Sequence, residues 1–479
     1  MLSGLCESIL VGHSTIGKLG NWTQIQVKWR DFFNCNLATG QEWGTRMQAV
    51  LEKLFQIKAQ GSSVKAEMIG GVTTFLTMAY IIFVNPSILS QAGMDYGAVF
   101  VATCLAAAIG CLIMGLWANY PVALAPGMGL NAFFTYSVVL GMGYEWQAAL
   151  GAVFFSGILF FVLSALKIRA WIINSIPVTL RLAIAAGIGA FLALIGLQNA
   201  NIIVGHDATL VTLGDLSQIS VLLAGLGFFL IIGLVARKVQ GAALISILFI
   251  TLLGWLLGDV SYQGIVAMPP SLAPTFMQLD IAGAFDVAML SVIFAFLFVD
   301  LFDTSGTLMA VAQRAGMTDA KGNLPRLEKA LMADSTASVA GSMLGTSTTT
   351  SYIESASGVA SGGKTGLTAV IVGLLFILAI FFAPLAGMVP AYATAGAIIY
   401  VSVLMLFTLR SVDWDDVTEA APVAVVLLMT PLTYSIADGI ALGFISYVVV
   451  KALGGRYHDL NWSVAILAAL FIAKFIWLG

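Results

Sequence analysis

The sequence predicts an all-α polytopic membrane protein with fourteen transmembrane segments, arranged as two inverted repeats of seven. Three observations carry that reading. The chain of 479 residues is 59% hydrophobic and only 9% charged, with a mean hydropathy of +0.98, whereas a soluble domain carries about 25% charged residues. A soluble core has no room for that much apolar surface. Apolar runs close to the ~20 residues that span a bilayer recur along the chain. Lysine and arginine then fall on alternate loops, as they do when one side of a membrane collects positive charge.

Taken in order, residues 1–46 form a polar N-terminal extension and residues 47–67 an amphipathic, cytoplasmic lead-in. The extension lacks the apolar h-region of a signal peptide. The first repeat covers 68–258, with spans expected at 68–90, 97–117, 146–166, 177–198, 219–236 and 240–257. The second covers 282–453, with spans at 284–302, 330–345, 366–387, 391–408, 417–434 and 438–453. Two weaker stretches, 121–141 and 347–362, are rich in Gly, Pro, Ser and Thr and complete the fourteen. Irregular backbone at membrane depth survives only where protein or a water-filled cavity surrounds it. An apolar C-terminal helix over 461–478 carries Lys474 and is left as an interfacial helix or an extra span.

Loop charges test this count. With a cytoplasmic N-terminus, Lys167, Arg169, Arg237, Lys238, Arg314, Lys321, Arg326, Lys329, Lys364, Arg410, Lys451 and Arg456 lie in inside loops or at their edges. The outside loops 199–218 and 258–281 contain no Lys or Arg. Dropping either weak stretch destroys the asymmetry. The weak stretches are third in each set of seven, and an odd number of crossings per repeat turns the halves upside down relative to each other. Interrupted segments at matching positions of inverted repeats mark a midplane solute site.

Carboxylates sit beside these stretches. Asp300 and Asp303 close the apolar run VIFAFLFVDLFDTSGTL, and Glu354 lies in the small-residue stretch TTTSYIESASGVASGG. A charged side chain at membrane depth costs about 2.5 to 3.5 kcal/mol even on lenient insertion scales, so it is normally there to handle ions, protons or a polar solute. Asp334, Asp413, Asp415, Asp416 and Glu419 fall near span ends and read as solvated or gating residues.

At this point the chain resembles a known family. The stretches GGVTTFLTMAYIIFVNPSILSQAGMD, NYPVALAPGMGLNAFF, LFDTSGTLMAVAQRAGM, TTSYIESASGVASGGKTGLTAVIVGLLF and SIADGIALGFISYVVV look like those of the AzgA-like purine permeases of the nucleobase:cation symporter superfamily. The resemblance runs from about residue 47 to the C-terminus. It implies the uracil-permease fold, with core and gate domains and short antiparallel strands in segments 3 and 10. It further implies proton-coupled uptake of adenine, guanine or hypoxanthine, with Asp303, Glu354 and Asn131 at the positions of the family's binding residues. A purine is a flat, neutral array of N–H donors and ring-nitrogen acceptors, which a carboxylate at Glu354 can meet with two charge-assisted bonds. Asp303, four residues before Thr307, is placed to take another bond or hold the proton, with Asp300 as a further proton-coupling candidate. Desolvation favours the neutral form of a buried carboxyl, so proton occupancy and substrate binding become linked. Phe75, Phe133 or Phe134 can stack on the ring, or equally face lipid or pack in the core; Asn131 can equally cap the helix that resumes after APGMG.

The rival readings are weaker. A xanthine, uracil or ascorbate permease, or an anion carrier of the same fold, remains the alternative within the fold, but buried acids repel an anion. An enzyme or ATP-driven pump is disfavoured. His13, His206 and His458 lie outside the spans, and Cys6, Cys35, Cys104 and Cys111 show no framework spacing, so no metal and no cofactor are expected. Residues 358–365, GVASGGKT, match the P-loop expression yet lead into a membrane span rather than a cytosolic helix. Asn21 and Asn461 fit the glycosylation pattern on what reads as the cytoplasmic side. A net charge of -3 gives no field for nucleic acid. The expected partners are a purine nucleobase, protons and the lipid bilayer of a bacterial inner (plasma) membrane, with monomer and homodimer both open. Because no membrane or motif content precedes Met47, the polypeptide beginning there should transport as well as the full chain. Loss of uptake at normal membrane abundance would show that the extension has a role.

Overall fold

The computed structural model describes residues 40–166, 176–317 and 324–477. Most of the extension, with Lys167, Arg169 and Lys321, lies outside the described residues. The chain divides into two compact units at Lys58. In the first, α1 (Gly40–Phe55) ends where the Lys58 amide donates to the Glu52 carboxylate at 3.0 Å.

Helices occupy most of the expected stretches of the second unit. They are α2 (Val64–Met78), α3 (Ile81–Leu89), α4 (Tyr96–Ile113), α5 (Met128–Ala132, prolonged as π-helix to Gly141), α6 (Trp146–Ala165), α7 (Val178–Asn199), α8 (Ile219–Ala236) and α9 (Ala242–Leu256). The second half continues with α10 (Val287–Arg314), α11 (Leu327–Leu344), α12 (Ser355–Ala360), α13 (Gly366–Ala379), α14 (Ala391–Leu406), α15 (Val417–Leu432), α16 (Ile436–Leu453) and α17 (Trp462–Trp477). Among the described residues, nine helices are long and apolar enough to cross a membrane, and four shorter apolar helices accompany them. Exposed apolar side chains such as Leu222 and Phe229 on α8 face outward, as they do where hydrocarbon is the solvent.

The two weak stretches are broken in the same way. Each enters as a three-residue strand, β1 (Leu124–Pro126) and β4 (Thr349–Ser351), and leaves as a short helix, α5 or α12. The strands pair antiparallel, Leu124 with Ser351, Ala125 with Thr350 and Pro126 with Thr349. Beyond the ladder, the Gly127 amide donates to the Thr348 carbonyl and the Tyr352 amide to the Ala123 carbonyl, each at 2.9 Å. The short strands implied by the family resemblance are therefore present.

Packing forms two groups. In one, α4 lies on α11 and α13, α6 on α10 and α11, and α2 on α12 and α13; in the other, α7 lies on α14 and α15, α8 on α14, and α16 on α15 and α17. Fewer contacts join the groups, chiefly through α2, α3, α5 and α10. Small residues bring backbones together inside the first group. A Cβ on Gly366 at the start of α13 would lie 2.0 Å from the carbonyl oxygen of Gly115, just past α4.

One expectation is corrected. The span placed at 284–302 runs as a helix to Arg314, so Asp300 and Asp303 stand in its interior and not at its end. Hydropathy falls at Asp-Thr-Ser-Gly-Thr, but nothing in that stretch stops helical hydrogen bonding. The loop 199–218 contains a hairpin, β2 (Ile203–His206) with β3 (Leu210–Leu213), whose signal was the pair of β-branched runs around Asp207-Ala208-Thr209. Gly366→Val should lower the thermal midpoint in detergent by several degrees, from an overpacking cost of about 1–3 kcal/mol. An unchanged midpoint would mean the α4–α13 crossing is free to open.

Candidate functional site

The strand pairing sets the site. Strand geometry sends alternate side chains to opposite faces, so Thr350 meets α10 while Thr349 and Ser351 turn toward α11. Thr350 Oγ1 lies 2.9 Å from Thr304 Oγ1 and donates to Asp303 Oδ2 at 3.4 Å. Ser351 donates to Asp334 Oδ1 at 3.2 Å. Glu354 stands at the start of α12, and its Oε1 accepts a 2.6 Å bond from the hydroxyl of Tyr80. Tyr80 occupies the break between α2 and α3, where the helix restarts before Pro86. The Tyr352 hydroxyl donates to the Pro126 carbonyl at 2.6 Å and pins one broken segment to the other.

Of these residues, Asp303, Thr350, Ser351, Tyr352 and Glu354 line a cavity of about 90 Å³. Asp303, Thr307, Thr350 and Glu354 form its polar wall. Ile188 of α7 and Val401 and Met405 of α14 form an apolar wall from the other packing group. Glycine makes the approach close: a Cβ on Gly127 would lie 2.5 Å from Thr350 Cγ2, and one on Gly129 would lie 2.5 Å from Ile188 Cγ2. The arrangement offers carboxyl acceptors on one side and an apolar surface on the other. That suits a small planar solute with N–H donors.

Of the residues singled out from sequence, Glu354, Asp303 and Thr307 meet at this cavity. Asn131 follows the lining residue Leu130 but is fully buried; its Oδ1 accepts from the Ser347 hydroxyl and its Nδ2 is buried without a hydrogen-bond partner. Asp300 is buried one turn behind Asp303. The expected stacking aromatics lie elsewhere. Phe75 packs edge-on to Phe376 at 5.2 Å and Phe133 edge-on to Phe296 at 5.0 Å, filling gaps between helices, and Phe134 is likewise core. The rings at the site are Tyr80 and Tyr352, whose hydroxyls need buried partners and find them here.

Asp334 also needs correction. It is fully buried, with Thr304 donating to its Oδ2 at 2.9 Å, rather than solvated at a span end. Hydropathy alone could not show that α11 begins three residues before the expected span and carries Asp334 inward. Asp413 and Asp415 are exposed, and two further acids near span ends have partners. Asp416 caps α15, and the Thr418 hydroxyl, with Arg456 beside it, holds its carboxyl below the usual range. Glu419 is paired with the buried Lys451.

The P-loop look-alike is filled by the protein itself. Glu67, fully buried, accepts from the amides of Lys364 at 3.0 Å and Thr365 at 3.2 Å and from the Thr368 hydroxyl at 2.6 Å. Backbone N–H groups that would cradle a phosphate already hold a carboxylate.

Residues 65–473 match the profile of the permease family Xan_ur_permease. The chain belongs to this permease family. It is 53% identical over 434 residues to the adenine permease AdeP of Escherichia coli, covering 91% of this chain and 98% of that one. It is 47% identical over 440 residues to the guanine/hypoxanthine permease PbuG of Bacillus subtilis, covering 89% and 100%. Among solved structures, the transmembrane domain of the cyanobacterial bicarbonate transporter BicA superposes with a TM-score of 0.61 at 18% identity, covering 79% of this chain and 97% of that one. The last likeness establishes the fold. This permease is a multi-pass membrane protein, not an enzyme, with a helical architecture interrupted by short strands.

Glu67→Ala in this permease should lower the thermal midpoint markedly, since three donors lose their acceptor at about 1–3 kcal/mol each. ATP should shift the midpoint of neither protein. A nucleotide-dependent shift in the wild type would reinstate the P-loop.

Proposed function

We propose that this permease is a secondary active transporter that takes up purine nucleobases, adenine, guanine or hypoxanthine, with protons across the bacterial plasma membrane, its N-terminus cytoplasmic. The observation that carries the reading is the placement of Glu354 and Asp303 on one wall of a single cavity, facing Ile188, Val401 and Met405. Two oriented carboxylates accept the N–H edge of a neutral base, and the apolar wall covers its face. The relatives named for adenine and for guanine/hypoxanthine span nearly the whole chain and support the substrate class.

In this reading the two packing groups are core and gate. The core carries the broken segments, β1 with α5 and β4 with α12, and the gate supplies the apolar wall. Relative movement of the groups opens the cavity to one side and then the other. The fourteen stretches then act as fourteen crossings. Asn131 braces the crossing of the broken segments through Ser347, and Thr307 adds a hydroxyl to the cavity.

An anion substrate is the second reading, because the fold is shared with a bicarbonate transporter. The paired carboxylates oppose it, since an anion between two acids is repelled.

Glu354→Gln should weaken adenine binding by about 1.5 to 3 kcal/mol, roughly 10- to 150-fold, while the protein remains folded. Isothermal titration of the purified variant decides this. Near-normal affinity for every purine tested would remove Glu354 from the site.

A further inference from the structure

The cavity acid Asp303 is joined to two buried acids by a run of hydroxyls. Thr350 Oγ1 lies 3.4 Å from Asp303 Oδ2 and 2.9 Å from Thr304 Oγ1. Thr304 Oγ1 lies 2.9 Å from Asp334 Oδ2 and 3.4 Å from Asp300 Oδ1. Thr304, Asp334 and Asp300 have almost no exposure, whereas Asp303 opens to the cavity. Glu354, Tyr80 and Tyr352 are the other titratable groups around the cavity end.

A count of hydrogens shows what this arrangement requires. Four oxygen–oxygen contacts link the five side chains, and each is a bond only when a hydrogen lies in it. The two threonine hydroxyls bring one hydrogen apiece. The other two contacts are made only when carboxyl protons fill them. Proton number and bond pattern are therefore tied together, and an added proton changes the direction of the hydroxyls. A second observation lies on the opposite face of β4. The Thr349 hydroxyl is fully buried without a partner, and it faces α11, since a Cβ on Gly341 would come 2.9 Å from it. Ser338, one turn before Gly341, clasps the Thr349 main chain and reaches Asp300 Oδ2 at 3.5 Å.

We propose that Asp334, together with Asp300, holds the transported proton away from the cavity, and that Thr304 and Thr350 carry it to and from Asp303. The inference rests on the symport reading above. A proton arriving at Asp303 is donated to Thr350 as the Thr350 proton passes to Thr304 and the Thr304 proton to Asp334. Each O–H bond breaks as the next forms, and the negative charge moves from Asp334 to Asp303 with no charge created. Asp303 is then an anion able to accept a purine N–H. A base bound to the Asp303 anion holds the proton on Asp334, so release of the proton through Asp303 waits until the base has left.

The test uses purified full-length protein in proteoliposomes, with radiolabelled adenine and an imposed pH gradient. Thr304→Val keeps the side-chain shape and removes the hydroxyl; Asp334→Asn removes the acid. Both should lower concentrative uptake at least about tenfold, the low side of what a positioned proton carrier contributes. Exchange of internal unlabelled for external labelled adenine needs no net proton movement and should stay within about twofold of wild type in both. Thr304→Ser should restore accumulation. Wild-type accumulation by Thr304→Val, or exchange lost in step with uptake in both variants, would overturn the relay. A wild type that ignores the pH gradient would instead sink the symport reading, so the two failures are distinguishable.

Discussion

Inside a bilayer every backbone N–H and C=O must find a partner within the protein, because hydrocarbon offers none and each unsatisfied group costs several kcal/mol. A chain that breaks its helices at membrane depth must satisfy the freed groups some other way. Here the breaks in the two halves satisfy each other: β1 and β4 pair antiparallel over three residues, and the ladder is extended by Gly127 to Thr348 and Tyr352 to Ala123. The site depends on this joint. It turns Thr350 toward α10, places Glu354 beside Tyr80, and starts α5 and α12 at the cavity.

The joint in turn depends on small residues. Glycine at 127 and 129 allows approaches that a Cβ would block, and Gly115 and Gly366 let α4 and α13 touch backbone to backbone. In lipid, where association gains little from the hydrophobic effect, such close contact and interhelical polar bonds hold helices together. The interior is accordingly rich in buried hydroxyls, from Thr304 and Ser338 to the run Thr346–Ser351. Those hydroxyls carry the contacts between the acids, so the features that pack the broken segments also prepare their chemistry. Glu67 shows the same economy, since one buried carboxylate ends the exposed amides that precede α13.

Particular residues show why some of this was readable in advance. Glu354 and Asp303 stood out because a carboxylate in an apolar run is costly wherever the fold puts it. The broken segments stood out because Gly, Pro, Ser and Thr are poor membrane-helix sequence. Phe75 and Phe133 give no such signal, because an aromatic ring has the same local signature whether it stacks on a ligand or fills a gap, as each does here against Phe376 and Phe296. Asp334 is hidden for a related reason: helix α11 starts earlier than hydropathy suggests. Tyr80 gave no local sign of its role, since its partner is 274 residues away.

The sequence by itself determined that this chain lives in a membrane, which two stretches are broken and which acids are costly. These are properties of local composition and period, set against the fixed thickness of a bilayer. Only the tertiary structure decided which acids share a cavity, which tyrosines serve them, and that Asp303 continues through Thr350 and Thr304 to Asp334 and Asp300. Hydrogen bonds and glycine contacts between segments far apart in the chain depend on relative placement to within an ångström. That placement comes from the pairing of β1 with β4, a cross-repeat interaction that leaves no period in either strand alone.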